Sequence, residues 1–527
     1  MLRAGIGHLT QRIQTRRPAT LRAAATAAVL LGMAAVASQA GASSPPGAFT
    51  TKGAWSFVSA PKLHPPRLLT QGRPITGQLA RGEFLLANFP NLAAPGPMTG
   101  QSGPLLVDRT LQPVWFAPVP ANVVASDLQQ ETYQGQPVLV WWQGKLTDNG
   151  GTIAGQVIVV DQHYHRLAAL RARAPWVISL HDAFISGQDI WVTVYRYVHN
   201  QNLAAYGGSR HGTVYDAGVQ KYDLRTGKLL YTWDALNPGK APHVPLSASE
   251  QPASVPTAPN GAWDAYHVNS IQVLSHNRIL VSLRNTWAAY LINSVTGKTI
   301  WTLGGRRPWN SFSFGRDATF AWQHDVELLP HNRITLFDDG CCRINPGRRL
   351  GTPSGPSRGL VLRLDVARHR ASLVAAYPHR PRLFTAFLGS MQLLPNRNAV
   401  VGWGSLPYFS EYSAAGKQLL DVRFPGKDQS YRALFTPTWV GSPSYPPHGA
   451  VRRAHGRTTV DASWNGATQL QRWQILAGQS ATSLAPVASA GRAGFETAIS
   501  VRGTYRFFAV RALDVHGQVL GTSSTFS

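Results

Sequence analysis

The sequence predicts an all-β protein built from repeated units of four short strands. Of its 527 residues, 49 are glycine and 37 are proline, whereas only 14% are charged. Glycine and proline at this density interrupt helices every few residues, and so few charged residues leave little material for solvated helix faces. This composition argues against a helical bundle. Because a chain of this length exceeds what one compact core usually supports, we expect a repeated architecture or several domains.

An internal repeat specifies that architecture. A strand, a polar turn and a second strand rich in β-branched residues recur at 274–281, 329–336 and 394–401. A further pair of strands around a turn recurs as well, and these turns supply six anchors: Asp108, Asp161, Asp223, Asn293, Asp365 and Ser413. Four short strands recurring about every 60 residues are typical of a β-propeller. Six anchors therefore predict six blades, between residues 81 and 446.

The segments on either side of this ring have different patterns. Residues 43–80, with consecutive prolines at 65 and 66, predict an extended arm along the ring. Residues 447–527 alternate as strands do and contain two candidate core aromatics, Trp464 and Trp473. A C-terminal segment of about 80 such residues predicts a small β-sandwich that resembles a fibronectin type III domain.

The first 42 residues carry a targeting pattern. Five arginines and no acidic residue accompany an apolar run at 23–37. Small residues suited to a signal peptidase follow the run: Ser38, Ala40 and Ala42. The run is shorter than the roughly 20 residues that a membrane span needs, so we expect residues 1–42 to be a cleaved signal peptide. The mature protein is then secreted or held at the cell surface, without a stable membrane span.

The charge distribution and the cysteine content bear on whether the protein binds nucleic acid or a metal ion. The formal net charge is +25, but the basic residues are dispersed and no nucleic-acid motif accompanies them, so we expect no nucleic-acid partner. The only cysteines, Cys341 and Cys342, are adjacent. They either close a small strained ring, pair with another chain, or serve as small residues in a turn, and they lack the further ligands of a metal site.

Three histidines occupy nearly equivalent places in the strand that begins successive units: His181, His267 and His324. The first strand of each propeller blade lines the central channel, so the repeat aims all three at one axis. Histidine is the usual acid, base, nucleophile or metal ligand near neutral pH. We therefore predict a site in the channel and include Asn269 among its substrate-binding residues.

A metal is one alternative for these histidines, because three imidazoles with an open position could bind zinc. However, Asp182 and Asp325 should alternate away from the histidine face of a strand, and no HExxH spacing occurs. The sequence therefore favours a site without metal.

Arginine completes the predicted site. Arg358 introduces the strand at 360–364, after a glycine- and proline-rich loop that contains Arg343. A guanidinium group can donate two parallel hydrogen bonds to two oxygens of a sulfate or phosphate. Histidines and arginines around an electropositive channel favour transfer of an anionic group, with donors placed in advance where charge develops.

Several motifs, in order along residues 55–446, resemble the arylsulfotransferase family, in the branch found in actinobacteria and fungi. The main motifs lie at 138–144, 243–247, 263–271, 300–305, 320–325, 336–340, 357–359, 389–392 and 401–404. The resemblance implies a six-bladed propeller that transfers a sulfuryl group from a phenolic sulfate ester to a phenol. It also implies that neither PAPS nor another cofactor takes part, and that a sulfated histidine is the intermediate.

The resemblance also assigns roles. His267 and His324 match family histidines, and Arg358 matches the family arginine. The family's nucleophilic histidine would fall within 402–408, where this sequence has none. Either another histidine, preferably His324, is the nucleophile, or this branch uses different chemistry. His181, Asn269 and Arg343 are expected to bind substrate.

Two other functions compete with sulfuryl transfer. A non-catalytic propeller that binds an anionic glycan or surface, with the sandwich as an adhesion module, would explain the missing nucleophile. A quinone-dependent dehydrogenase shares the propeller architecture, but such enzymes usually have eight blades with regular tryptophan motifs. Six uneven units argue against this second alternative.

Overall fold

The computed structural model describes residues 49–527 except for 93–95, 147–151, 153, 252–254, 257–260, 307 and 341–354. These described residues form strands and short 3-10 turns without an α-helix, which confirms the all-β class. Within them, no helical segment is long and apolar enough to cross a membrane. The predicted signal peptide, Cys341, Cys342 and Arg343 all lie outside the described residues.

Six sheets with four main strands each follow one another along the chain, and we number them 1 to 6. The strands up to the end of sheet 2 are β1 (Phe49–Thr50), β2 (Leu69–Thr70), β3 (Glu83–Asn88), β4 (Met98–Thr99), β5 (Gly103–Val107), β6 (Pro113–Phe116), β7 (Val124–Tyr133), β8 (Gln136–Gly144), β9 (Gln156–Val160) and β10 (Arg166–Leu170). Sheet 1 contains β3, β5 and β6, and sheet 2 contains β7 to β10.

Sheets 3 and 4 begin with the strands that contain or directly follow the first two predicted histidines. Their strands are β11 (Val177–Ser186), β12 (Asp189–Gln201), β13 (Gly212–Asp223), β14 (Leu229–Asp234), β15 (Ala262–Trp263), β16 (Val268–Leu274), β17 (Arg278–Leu283), β18 (Ala288–Asn293) and β19 (Thr299–Gly304). The short strand β15 adds to sheet 3, and sheet 4 begins at β16.

Sheets 5 and 6 complete the series. Their strands are β20 (Ser313–Phe314), β21 (His324–Leu329), β22 (Arg333–Asp338), β23 (Arg358–Asp365), β24 (Arg370–Pro378), β25 (Ser390–Leu393), β26 (Ala399–Gly402), β27 (Tyr408–Tyr412) and β28 (Gln418–Arg423). The next strand, β29 (Leu434–Thr436), returns to sheet 1 and pairs antiparallel with β3. Sheet 1 therefore combines strands from both ends of this region.

Apolar side chains from neighbouring sheets form buried clusters, one between each successive pair and one between sheets 6 and 1. Strand β17 shows why. Its alternating side chains point to opposite faces, so Ile279, Val281 and Leu283 pack against sheet 3 and Leu280 packs against sheet 5. Near-continuous apolar runs thus bury both faces of the middle strands and stack the sheets in a closed order.

The six anchors all lie at the end of the third main strand of a sheet or in the turn that follows it. At Asp223 the carboxylate accepts the backbone N–H of Thr226 at 2.7 Å, and Gly227 follows at φ 68°. Asn293 accepts the N–H of Thr296 in the same way at 3.0 Å. These side chains accept hydrogen bonds from the backbone N–H groups of the turn. The same residue types therefore recur at each turn, and the repeat can be recognised in the sequence.

The C-terminal segment forms two further sheets. Their strands are β30 (His448–Ala454), β31 (Arg457–Ser463), β32 (Arg472–Ser480), β33 (Ser483–Gly491), β34 (Glu496–Val501), β35 (Phe507–Leu513) and β36 (Val519–Thr522). One sheet has the order β30–β31–β34 and the other β33–β32–β35–β36. Trp464 and Trp473 belong to their shared buried cluster, as the sequence predicts for core aromatics.

The N-terminal arm contacts both parts of the protein. Strand β2 pairs with β28 at the outer edge of sheet 6. Farther toward the N-terminus, the Glu496 carboxylate accepts the backbone N–H of Ser59 at 2.5 Å, and Phe57 packs on Phe495 with ring centroids 4.3 Å apart. The arm therefore ties the C-terminal sheets to the ring, whereas the sequence predicted contact with the ring alone.

Candidate functional site

The three predicted histidines lie together. The ring centroid of His181 is 5.1 Å from that of His267 and 6.4 Å from that of His324. Tyr431 closes the group, with its ring 5.2 Å from His181 and 6.1 Å from His324. Residues far apart in the sequence thus form one cluster, within β11 and at the beginnings of β16 and β21.

Register shifts in the three strands direct the histidine side chains into the cluster. Each of the three strands shifts register with its partner at the histidine or directly after it, and His267 itself has a φ of 58°. Such bulges redirect side chains and often lie beside functional sites. The expectation that Asp182 and Asp325 alternate away from the histidines is wrong for this reason, because both carboxylates point to the axis and bind Arg432.

His267 is the most accessible histidine of the cluster. Its Nδ1 lies 2.5 Å from Oδ2 of Asp264, and 28% of its side chain is exposed. Asp264 is held in turn by the side-chain amide of Asn285, which donates to its backbone carbonyl at 2.7 Å. With the proton on Nδ1 facing the carboxylate, Nε2 carries the lone pair and has no partner among the described residues. This arrangement suits a nucleophile or a general base.

His324 is held from both sides. Its Nδ1 lies 2.7 Å from Oδ2 of Asp339, and its Nε2 accepts the backbone N–H of Leu388 at 3.2 Å. The side chain is fully buried, and burial, reinforced by Arg284, lowers its pKa well below the ordinary value. A neutral ring with both nitrogens bonded has no free lone pair. These bonds do not support the sequence-based preference for His324 as the nucleophile.

His181 lies between the other two rings. Its Nδ1 is 2.5 Å from the hydroxyl of Ser179, and the residue is buried. Burial lowers the pKa of His181 well below its ordinary value, and the neighbouring His267 and Arg432 add to that effect. The ring is therefore neutral near pH 7, with one nitrogen that donates a hydrogen bond and one that accepts.

Arg284 is the site residue that the sequence analysis missed. Its backbone N–H donates to the carbonyl of His267 at 2.9 Å, its guanidinium lies 4.6 Å from the centroid of the Trp322 ring, and Nη2 donates to the carbonyl of Ala386 at 2.7 Å. Its Nε is buried without a hydrogen-bond partner. The guanidinium lies close enough to His181 and His324 to lower the pKa of both.

The hairpin register contains a signal that could have found Arg284. Leu274 pairs with Arg278 across the β16–β17 turn, so counting outward from this pair places residue 285 opposite His267. One bulge between Val268 and Ser270 shifts the pairing by a residue and brings Arg284 into that position.

The structure places the other predicted residues less centrally. The guanidinium of Arg358 donates to Asp338 at 3.0 Å and to the carbonyl of Thr319 at 3.0 Å, and no described contact joins it to the histidines. Asn269 is buried, and its amide donates to the carbonyl of Gln323 at 2.7 Å. Arg358 therefore binds Asp338, the residue next to the Asp339 that contacts His324. Asn269 links its own strand to the segment that precedes β21.

Beneath the histidines, Arg432 joins three carboxylates from three sheets. It lies 3.2 Å from Asp127, 3.0 Å from Asp182 and 3.0 Å from Asp325, and all four side chains are buried. Asp182 also accepts the backbone N–H of Ile271 from the next sheet at 2.8 Å. This charged layer forms the floor of the histidine cluster.

The described residues contain no group of three or more histidine, cysteine, aspartate or glutamate side chains arranged to hold a metal ion. The cluster instead offers an oriented imidazole, a neutral imidazole and a guanidinium with an unpaired donor. Together these groups define a candidate site for anionic group transfer on an all-β scaffold.

Comparison with known proteins gives the family. A family model described as arylsulfotransferase (ASST) matches residues 129–425, a range that contains the three histidines, Asp264 and Arg284. The chain belongs to the arylsulfotransferase family, and aryl sulfotransferase activity is the activity of that family. Comparison with curated proteins finds no match.

Solved structures resemble the chain only distantly. A protein of unknown function from Bacteroides caccae has a TM-score of 0.40 at 11% identity, covering 67% of this chain and 99% of its own. The β-propeller domain of Cps50 (Swd1) from Myceliophteria thermophila has a TM-score of 0.37 at 11% identity, covering 74% and 97%. A hypothetical selenium-binding protein from Sulfolobus tokodaii has a TM-score of 0.34 at 10% identity, covering 85% and 96%.

Proposed function

We propose that this protein transfers a sulfuryl group from a phenolic sulfate ester to a phenolic acceptor, without PAPS and without another cofactor. The observation that carries the proposal is the Asp264–His267 pair, which leaves Nε2 of His267 without a described partner. Arg284, whose backbone N–H donates to the carbonyl of His267, has an unpaired Nε. The nucleophile in this proposal is His267. This sequence has no histidine within 402–408, where the family's nucleophile would fall, and His267 takes over that role.

In the first half of the reaction, the lone pair on Nε2 of His267 attacks the sulfur of the donor ester. The bond between sulfur and the aryl oxygen breaks, and that oxygen leaves with the electron pair. The carboxylate of Asp264 stabilises the positive charge that develops on the ring, as a carboxylate does for the histidine of a hydrolase triad. A sulfated His267 and a phenolate result.

His181 donates a hydrogen bond to the leaving oxygen, which departs as a phenolate and takes its proton from solvent. When the hydroxyl of Ser179 donates to Nδ1 at 2.5 Å, the proton of the neutral ring is on Nε2 and faces the cluster. In the second half of the reaction, the acceptor phenol loses its proton to solvent and its phenolate oxygen, hydrogen-bonded to Nε2–H of His181, attacks the sulfur. The bond between nitrogen and sulfur then breaks, and His267 regains its lone pair.

Arg284 binds the oxygens of the transferring group. Its guanidinium is held by Trp322 and Ala386, so little rearrangement is needed when negative charge develops on those oxygens. A donor held in place in this way stabilises the transition state more than the ground state. His324 acts as a positioning residue, because it joins Asp339 to the backbone of Leu388.

We also propose the finer architecture and the cellular location. The closed order of six sheets between 81 and 446 supports a six-bladed propeller, and the two sheets within 447–527 support a fibronectin type III-like sandwich joined to it by the arm at 43–80. The pattern at 1–42 supports signal cleavage and a mature protein that is secreted or held at the cell surface. N-terminal sequencing of protein recovered outside the cell would reveal whether cleavage occurs.

A two-part assay tests the proposed function. Purified protein is incubated with 4-nitrophenyl sulfate, with and without phenol, and both nitrophenol release and phenyl sulfate formation are measured. Release that depends on phenol supports transfer. A protein that binds inorganic sulfate but never forms phenyl sulfate would overturn the proposal in favour of a non-catalytic anion-binding ring.

A further inference from the structure

A hairpin of sheet 3 extends past the histidine cluster. Tyr195 in β12 pairs with Val177, the first residue of β11, yet β12 continues to Gln201 while still paired with β13. The extension lies at the end of the sheet where the histidines are. It has no partner strand from β11 and therefore has one edge exposed beside the site.

Three tyrosines share one face of this hairpin. Tyr197 pairs with Tyr215, and Tyr195 pairs with Ala217, so all four side chains lie on the same face. Tyr195 and Tyr215 are stacked with centroids 4.6 Å apart and an interplanar angle of 5°. Tyr215 and Tyr197 have centroids 4.9 Å apart.

This row of rings connects the nucleophile to solvent. The ring of Tyr195 lies 6.0 Å from that of His267, and its hydroxyl donates to the carbonyl of Val268 at 2.7 Å. Exposure rises along the row, because Tyr195 is buried, Tyr215 is half-buried and Tyr197 is 58% exposed. A large exposed aromatic ring next to a polar site is the kind of surface that binds a planar ligand.

We propose that Tyr215 and Tyr197 form an aromatic subsite that binds the outer ring of a phenol with two or more rings. This inference rests on the proposed function for the position of the reacting oxygen, which it places at His267. Tyr197 is three ring contacts from His267, so a single-ring phenol held at the histidine does not reach it. The subsite would therefore select substrates by length.

The test compares 4-phenylphenol with phenol as ligands of the mature wild-type protein and of Tyr197→Ala. Binding is measured by isothermal titration calorimetry without a sulfate donor, and the KM of each phenol as an acceptor is measured separately. Tyr197→Ala should weaken 4-phenylphenol binding about 5- to 10-fold, the scale of one lost aromatic contact. Phenol binding should not change.

Matched variants distinguish stacking from general damage. Tyr197→Phe keeps the ring and should retain wild-type binding of 4-phenylphenol. Leu230→Ala removes an exposed apolar side chain from β14 of the same sheet and should have no effect on either phenol. Each variant must also melt at the wild-type temperature.

The outcomes separate this inference from the proposed function. Equal effects of Tyr197→Ala on both phenols, or no effect on either, would overturn the subsite even if transfer proceeds normally. Selective loss of 4-phenylphenol binding in a protein that never transfers sulfuryl would establish the subsite and overturn the proposed function.

Discussion

Nδ1 of His267 lies 2.5 Å from Oδ2 of Asp264, whereas the otherwise similar contact of His324 with Asp339 is accompanied by a second bond on Nε2. Both histidines are oriented by a carboxylate, but of these two only His267 has a ring nitrogen without a partner among the described residues. This difference in the second nitrogen separates a candidate nucleophile from a positioning residue, and the following predictions depend on it.

His267→Ala should abolish phenol-dependent transfer, because the covalent route is lost. Brief exposure of wild-type protein to a radiolabelled sulfate ester without acceptor should label His267, and peptide mass spectrometry would locate the label. The exposed turn histidine variant His331→Ala is the control and should transfer at the wild-type rate. Label that persists in His267→Ala would contradict the assignment.

Asp264→Asn should lower kcat, although the sulfated form of His267 can still be made. The amide no longer holds the Nδ1 proton or balances the charged ring, and a disturbed acid–base partner of this kind typically costs ~10²–10⁴ in rate. Steady-state kinetics with 4-nitrophenyl sulfate checks this prediction. An unchanged kcat in a variant with normal thermal stability would show that Asp264 does not assist the histidine.

Arg284→Lys should slow transfer more than Arg358→Lys. Lysine keeps the charge of Arg284 but loses the forked donor, and losing one donor to a developing oxyanion costs ~10²–10³ in kcat. Arg358 donates to Asp338 and Thr319 instead of facing the histidines, so its replacement should act mainly on stability. The opposite order in kcat would restore the sequence-based assignment of Arg358.

Arg432→Met should destabilise the fold by about 3–5 kcal/mol, the usual cost of leaving buried charges without their partner. Three buried carboxylates depend on this one guanidinium. Arg196→Met is the matched control, because Arg196 binds Asp216 and Asp234 but is itself partly exposed. Urea unfolding should show a much smaller loss for Arg196→Met, and equal losses would refute a special role for Arg432.

The stability difference between wild type and His324→Gln should shrink below pH 6.5. Burial lowers the pKa of His324 from 6.5 in the folded state, so below that pH the unfolded chain binds a proton that the folded chain does not. Stability from a neutral buried histidine is therefore present above pH 6.5 and lost as pH falls, by at most about 1.4 kcal/mol per pH unit.

Urea midpoints of both proteins at pH 7.5 and 5.5 measure this difference. The comparison between variants is needed because burial raises the pKa of Asp428 and Asp216 to about 7. Those carboxylates make both wild type and variant more stable as pH falls, the opposite of the effect of His324, and their contribution cancels in the difference. A difference that stays constant with pH would show that His324 takes up a proton as readily in the folded as in the unfolded chain.

The all-β class and the positions of the turns were predictable because they depend on local signals. Asp223 and Asn293 satisfy the backbone of their own turns, so the repeat appears in the sequence wherever the turn occurs. The three histidines were found through the same repeat. A residue that recurs at one place in a unit reaches an equivalent place in the fold.

The roles within the site depend on contacts between residues distant in sequence. Bulges in β11, β16 and β21 break the alternation that places Asp182 and Asp325 away from the histidines. Leu388, which is 64 residues from His324 in sequence, donates the hydrogen bond that removes its free nitrogen. The sequence alone therefore specified the strands, the turns and the repeated histidines, because these depend on local backbone chemistry. The tertiary structure decided which of His181, His267 and His324 has a free nitrogen, and it brought Arg284 into the site. Only the packing of separate sheets could do this, because the hydrogen-bond partners of a buried group are its neighbours in space.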